Sequence, residues 1–405
     1  MEESLKHKHP IGTRDYFGPL AKAISQAEQK TSGILETWGY SNLISPLFER
    51  LETIFPSVSP LLHDQLFKFL DPMDGNSCIL RPDITPQVAH FVSANSQYLT
   101  FPLRISYHGR LVRQTDKGKI KPGQQRELFQ AGFEIIGEES QEAELELISI
   151  ACEMLGDNEA LLELSYPSII KKWSHYWGVE NSELEKLQPV IEAKNFSLLE
   201  KLSENSKLPS NARANLLEIT RSSGDPEDIS TSKYENWPPE ILSIIEQVVH
   251  FGRQIKSLHP KLSCVVDFSR GGPVDYYSGL CIKIFSKKDG NKIFSGGRYD
   301  NLMMRMGLQK PACGLACNLV ALGHLEKLKQ KPVFSFIGNT KSKIRFRKLF
   351  SNSPEQPVIS SGEDKLPRIM SAGSGSWSFK TEIEEKSLSD EELILEINKI
   401  MREFK

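Results

Sequence analysis

Two segments, Leu103–Gln114 and Arg126–Gly137, constrain the fold of this chain more than any other part of its sequence. Both read as long strands, and only TDKGKIKPGQQ, with three lysines and two glycines, separates them. A connection that short suits an antiparallel pair and not a parallel crossover. Side chains on a strand alternate between faces, so Gln130, Gly132 and Glu134 share one face while Phe129, Ala131, Phe133 and Ile135 share the other. The apolar set is the natural core face. The polar set, with a glycine between an amide and a carboxylate, forms a shallow floor for a small polar ligand, and Arg113 on the preceding strand could meet a carboxylate or phosphate there. A solvated sheet face fits the same pattern, because antiparallel sheets often expose one side to water.

Around this pair the chain alternates helix and strand signals. Pro19–Trp38 has a helical apolar period ending near Gly39, and Tyr40–Phe48 reads as a short strand broken by Pro46. Leu66–Leu80 reads as a hairpin turning at Asp74-Gly75-Asn76. Arg81–Ser93 reads as a helix, with Thr85 as N-cap before Pro86 and Asp83 suited to the positive helix start. A ligand ammonium is the other partner open to Asp83. Gln141–Leu155 is an acidic amphipathic helix. From about 158 to 260, leucine-rich helical segments predict a helical insertion, and strand signals return at Ser263–Phe268, Gly279–Phe285 and Lys292–Ser295. Asp275-Tyr276-Tyr277-Ser278-Gly279 and Gly296-Gly297-Arg298-Tyr299-Asp300 are aromatic, glycine-rich strand ends that suit either packing or a ligand lying against backbone. The tail, residues 326–405, ends in a helix with a Ser389/Glu392 capping box and is expected to pack on the main body (1–325). The expected class is α+β.

Composition narrows the setting. The chain has 405 residues, with 50 basic against 52 acidic side chains and a net charge of −2, which argues against a broad nucleic-acid surface. No run approaches the roughly 18 apolar residues of a membrane helix. The charged start MEESLKHKHP lacks a secretory apolar core, so a cytoplasmic location is expected. The six cysteines, at 78, 152, 264, 281, 313 and 317, form no CxxC pair, so neither a metal nor a disulfide framework is expected.

Pro311–Leu325, PACGLACNLVALGHL, runs from a small, glycine-containing segment into a helix. That layout lets backbone approach a flat ligand. A nucleotide phosphate would call for a fixed Arg or Lys, and Val320 and Ala321 stand at the candidate positions.

In order, GTRDYFG, GYSNLISPLFE, LRPDITPQVA, RISYHGRLVRQ, QQRELFQAGFEIIG, VDYYSG, SGGRYDNL and PACGLACNL resemble the catalytic core of histidyl-tRNA synthetase over residues 10–325. The resemblance implies a class II synthetase-like antiparallel sheet flanked by helices, with an inserted helical segment. It also implies a histidine site at Asp83, Thr85, Arg113, Gln130, Glu134, Tyr276 and Tyr277. Acidic and amide groups would hold the α-ammonium, the arginine would face the carboxylate or the α-phosphate, and the deep carboxylate and tyrosine would read the imidazole.

Several departures argue against aminoacylation. Val320 and Ala321 stand where the third class II motif has its Glu-Arg pair, and Thr115 stands where the second motif has an acid. Arg270 is two residues displaced from the family's Arg-Gly-Leu-Asp-Tyr-Tyr, leaving its role open. The tail does not read as the family's α/β anticodon-binding domain. This profile, with LRPDIT and Leu216-Glu-Ile-Thr-Arg-Ser-Ser-Gly-Asp-Pro, resembles the ATP phosphoribosyltransferase regulatory subunits. It implies a non-catalytic role without cofactor or tRNA, a short-form catalytic subunit as partner, histidine as effector, and a homodimer within a hetero-oligomer. The alternatives are an active histidyl-tRNA synthetase and a stand-alone amino-acid-binding pseudo-synthetase.

Overall fold

Leu103–Val112 and Glu127–Ile136 pair antiparallel along ten residues each. The rest of the first unit is arranged around that hairpin. The computed structural model describes residues 9–54, 63, 65–114, 125–204, 208–234, 237–270, 277–326, 333–337, 340–351, 357–360, 367–372, 376–381 and 385–403. The expected loop TDKGKIKPGQQ therefore lies almost wholly outside the described residues. The chain divides into two units, residues 1–326 and 327–405.

In the first unit the strands are β1 (Ser41–Asn42), β2 (Phe48–Arg50), β3 (Phe67–Leu70), β4 (Ser77–Leu80), β5 (Leu103–Val112), β6 (Glu127–Ile136), β7 (Ala160–Ser165), β8 (Ser223–Gly224), β9 (Leu262–Asp267), β10 (Cys281–Ser286), β11 (Lys292–Arg298) and β12 (Ala312–Asn318). Nine of them form one sheet in the order β1-β5-β6-β12-β11-β10-β7-β9-β8. It is antiparallel except at β1–β5 and β7–β9. β2, β4 and β3 form a separate small sheet. The segment read as one interrupted strand, Tyr40–Phe48, is thus split between two sheets.

The apolar set of β6 packs as its alternation predicts. Ala131, Phe133 and Ile135 lie in the main core with residues of the helices Pro19–Thr37, Glu142–Leu155 and Pro239–Leu258. The opposite face is not simply solvated. Val88 and Val92 from the helix Thr85–Ala94 and Ile84 just before it, with Leu302 and Met303 from Asp300–Arg305, form a second core with Tyr107 and Ile136. Glu134 therefore sits between a sheet and a helical cover.

The region expected to be a wholly helical insertion opens with a strand instead. Ala160–Ser165 is β7, paired with β10 on one side and β9 on the other. Its sequence, ALLELS, is rich in helix formers, but pairing on both edges overrides that local preference. The helices begin at Ile169 and end with Leu258. Between them the Ser223–Gly224 strand covers the outer edge of β9.

The second unit is α/β with a core of its own, where a small packed tail was expected. Its strands are β13 (Val333–Ile337), β14 (Val358–Ser360), β15 (Arg368–Ala372), β16 (Ser376–Lys380) and β17 (Glu385–Leu388), in the order β14-β13-β15-β16-β17. Phe334, Phe346, Trp377, Phe379 and Leu393 fill the core. The last helix, Asp390–Glu403, starts at the anticipated capping box. The Ser389 amide donates to Glu392 Oε2 (2.8 Å) and the Glu392 amide to Ser389 Oγ (3.3 Å).

Candidate functional site

The centre of the site is a buried carboxyl group. Glu134, on β6, is 1% exposed, and three hydroxyls from three different elements converge on it. Thr85 Oγ1 donates to Oε1 at 2.9 Å, Tyr107 Oη donates to Oε1 at 3.0 Å, and Tyr299 Oη donates to Oε2 at 2.7 Å. Hydrogen bonds to the charged form favour ionisation, but removal from water opposes it more strongly, and the Glu134 pKa is pushed up to about 8.

Two glycines make this arrangement possible. Gly132 lies opposite Tyr107, and a Cβ there would collide with the phenol. Gly314 on β12 lies opposite Glu134, and a Cβ there would collide with its carboxylate. The gap at Gly132, expected to be a ligand floor, is filled by the Tyr107 ring. Thr85 is likewise not the N-cap. It is the first residue of its helix, Ile84 precedes it without a side-chain cap, and the Thr85 hydroxyl is spent on Glu134.

Arg81 fixes the entry to that helix. It is 7% exposed, and its guanidinium donates to the carbonyls of Arg110 (2.8 Å), Ser45 (3.1 Å) and Pro46 (3.3 Å). It occupies the space left by Gly109, whose Cβ would meet the guanidinium. The Arg113 Nε donates to the Pro82 carbonyl at 2.7 Å, and its guanidinium lies 4.0 Å from the Asp83 carboxylate. Asp83 also accepts the Ile84 amide at 2.8 Å. Arg113 and Asp83 thus form one partly exposed ion pair above the Glu134 floor.

Gln130 supplies a second kind of signal. Its Oε1 is buried and has no hydrogen-bond partner among the described residues. Leaving such an acceptor unpaired costs roughly 1–3 kcal/mol, which a ligand N–H would recover. Tyr277 is partly buried. Burial raises its pKa well above the usual tyrosine value, and the fields of Asp83 and Glu134 add to that shift while Arg113 opposes it. Tyr276 lies outside the described residues. Arg270 turns toward Glu163 (3.6 Å) and Asp267 (3.3 Å) on the β7–β9 side of the sheet.

Contacts and fields therefore link Asp83, Thr85, Arg113, Glu134 and Tyr277, while Gln130 lies on the same face of β6 as Glu134, four residues away. The sequence reading missed Tyr107 and Tyr299 as parts of this centre. Their signal was the glycine opposite Tyr107 and the strand end GGRYD. At the neighbouring strand–helix junction, Asn318 Oδ1 accepts the amides of Val320 (3.1 Å) and Ala321 (3.2 Å). No cation stands at those two positions. Among the described residues, no group of three or more His, Cys, Asp or Glu side chains is arranged to hold a metal ion.

A mixed sheet with this buried centre is a histidyl-tRNA synthetase-like α+β architecture, and the histidyl-tRNA synthetase family model matches residues 12–322. A solved ATP phosphoribosyltransferase regulatory subunit/histidyl-tRNA synthetase from Bacillus halodurans shares the fold with a TM-score of 0.75 at 19% identity, covering 89% of this chain and 95% of its own. Histidyl-tRNA synthetase from Nostoc sp. PCC 7120 covers 98% of this chain and 99% of its own at a TM-score of 0.74 and 13% identity, so the likeness of fold includes the second unit. Within that architecture, the chain belongs to the family of ATP phosphoribosyltransferase regulatory subunits. The relative from Geobacter metallireducens is 30% identical over 329 residues, 80% of this chain and 74% of the relative. The one from Geobacter sulfurreducens is 30% identical over 329 residues, 80% and 73% respectively.

The raised Glu134 pKa links stability to pH. An unfolded glutamate loses its proton near 4.5, whereas the native one holds it to about 8, so the native state loses relative stability as pH rises through that window. Glu134→Gln lacks this titration. Urea denaturation at about pH 5 and pH 8.5 should show the variant gaining on the parent by on the order of a few kcal/mol at the higher pH. A pH-independent difference would place the Glu134 pKa at its ordinary value. Gly132→Ala should displace the Tyr107 ring and cost about 1–3 kcal/mol in the same assay. A loss below about 0.5 kcal/mol would show that the ring is free to move away.

Proposed function

We propose that this chain is a non-catalytic subunit that assembles with a short-form ATP phosphoribosyltransferase and transmits feedback by histidine to the first step of histidine biosynthesis. The observation that carries this reading is the pairing of a buried polar centre around Glu134 with a strand–helix junction at which Val320 and Ala321 supply no cation. The names of the relatives supply the enzyme context.

In this reading Asp83 and Gln130 take the α-ammonium, the orphaned Gln130 oxygen gaining its missing donor. Arg113 faces the carboxylate, and Glu134 with Tyr277 reads the imidazole; Tyr276 is assigned to the same site by resemblance alone. An imidazole ring needs a hydrogen-bonding partner at each nitrogen when buried. Glu134 can accept from an imidazole N–H when ionised or donate to a bare ring nitrogen when protonated.

Activation of an amino acid by ATP requires stabilisation of transferring phosphoryl charge. Ala321 offers no cation at the position where the synthetase motif has its arginine, so the chain binds histidine without activating it. We place the protein in the cytoplasm, acting without cofactor or tRNA. No helix among the described residues is long and apolar enough to cross a membrane.

The small sheet β2-β4-β3 suits a homodimer contact inside the larger assembly. Leu70 at the end of β3 and Met73 in the turn after it are 68% and 90% exposed, and the ring pair Phe48–Phe69 on the same small sheet is partly exposed. Burying apolar area of this kind stabilises by about 25 cal/mol per Å².

The assembly reading is tested by mixing the purified chain with a short-form catalytic subunit. Phosphoribosyl transfer should require the chain and fall when histidine is added. A catalytic subunit that is fully active and inhibited by histidine on its own would contradict it. In parallel, histidine-dependent ATP–pyrophosphate exchange by the chain alone should stay at background, and clear exchange would make it a synthetase. For the dimer, Leu70→Asp with Met73→Asp should shift the sedimentation of the isolated chain from dimer to monomer. An unchanged dimer would put the contact elsewhere.

A further inference from the structure

The reverse face of the sheet carries a cavity of its own. It encloses about 70 Å³ at the end where β6, β7 and β11 finish and β10 begins. Strand register fixes its side. Arg298, in the cavity wall, pairs with Cys313, and Cys313 pairs with Ile135. Ile135 and Cys313 lie in the main core with residues of the helix Glu142–Leu155. Glu134 and Tyr299, the chain neighbours of Ile135 and Arg298, meet on the other face. Gly279 and Leu280, just after Tyr277, form another part of the wall. The cavity thus backs onto the two segments that carry Tyr277 and Tyr299.

Charge and unused hydrogen-bonding capacity give this space its preference. Arg298 is spent within the fold. Its Nε and Nη2 donate to the Glu144 carboxylate, each at 2.7 Å, and the guanidinium also donates to the carbonyls of Glu138 (3.2 Å) and Ser140 (3.3 Å). Asp300 lies 3.7 Å from it. Lys172, whose field reaches Tyr166, is paired with Glu240. The positive start of Glu142–Leu155 is met by Glu142 and Glu144 in its first turn. Glu139, also in the wall, has no ion-pair partner among the described residues, so one negative charge is left over. The side chains of Gln141, Tyr166 and Gln247 line the same space and make no hydrogen bond among the described residues. Burial holds the Tyr166 pKa above its ordinary value, so the group is a neutral phenol whose oxygen can accept.

We infer that this cavity binds the head group of a small organic cation, an alkylguanidinium or an alkylammonium. Such a head group has several N–H donors and no acceptor, which matches a lining of amide, phenol and carboxylate oxygens. Its bond to Glu139 would be charge-assisted. Val248 and Leu280 supply apolar surface for the alkyl stem. An anion would find no free cation here, because Arg298 is already engaged. Glu139 and Gln247 are exposed and mark the mouth, so a ligand can enter without opening the core. With the two sites on opposite faces, the cation is expected whether or not Glu134 reads histidine.

The test is calorimetric titration of the full chain with agmatine, which carries both head groups, and with acetate as the anionic control. Agmatine should bind saturably and acetate should not. Glu139→Gln should weaken agmatine about tenfold, as loss of one charge-assisted hydrogen bond does. Gln247→Glu adds a carboxylate at the mouth and should tighten binding about threefold. A gain of affinity cannot come from lost folding. Glu134→Gln, on the other face, should leave agmatine affinity within about twofold of the parent. An absence of agmatine binding, equal binding of acetate, or unchanged affinity in either Glu139→Gln or Gln247→Glu would overturn the assignment. So would binding lost in Glu134→Gln, which would place the cation in the pocket on the other face. Displacement of agmatine by the catalytic subunit would also overturn it, giving the cavity to a basic side chain of that partner and not to a free molecule.

Discussion

The carboxyl group of Glu134 is the point on which the first unit's functional end depends. It lies beneath a helical cover, and a charge there would be costly without compensation. Compensation comes from Thr85 at the start of a helix, Tyr107 on β5 and Tyr299 beyond β11. Each hydroxyl brings its own element into place, so one buried acceptor ties together a helix, a strand and a strand end far apart in sequence. Buried polar networks of this sort are high-stakes, because a partly satisfied one costs more than an apolar core. Glycines at 132 and 314 give the Tyr107 ring and the carboxylate their space.

The same sheet face divides into regions of different electrostatic character. Around Glu134, Asp83 is paired with Arg113, and the Gln130 amide oxygen is buried without a partner among the described residues. On β10, Lys283 is paired with Glu163 at 3.2 Å. At the strand–helix junction that follows β12, the Asn318 side chain, not a ligand, occupies the amides of Val320 and Ala321.

Much of this was legible in the sequence, for identifiable reasons. The alternation of Gln130, Gly132 and Glu134 against Phe129, Ala131 and Phe133 is a local, period-two signal, and the sheet keeps it. Tyr107 and Tyr299 were not legible as partners of Glu134, because their roles depend on register and on contacts across 27 and 165 positions. β7 was hidden for the opposite reason: its residues favour helix locally, and only pairing on both sides makes them a strand. In the second unit the strands are 3 to 5 residues long and separated by Ser-, Gly- and Pro-containing stretches, so no single segment carried a strong pattern.

The central claim is that the Glu134 centre recognises histidine. Its most direct test is calorimetric titration of histidine into the full chain and into Glu134→Ala, with circular dichroism confirming that the variant is folded. The account predicts saturable binding by the parent and a loss of about tenfold or more in the variant, since removing one partner of a buried hydrogen bond leaves the other unpaired. Equal affinity in the two proteins would contradict it and would move histidine recognition away from this face.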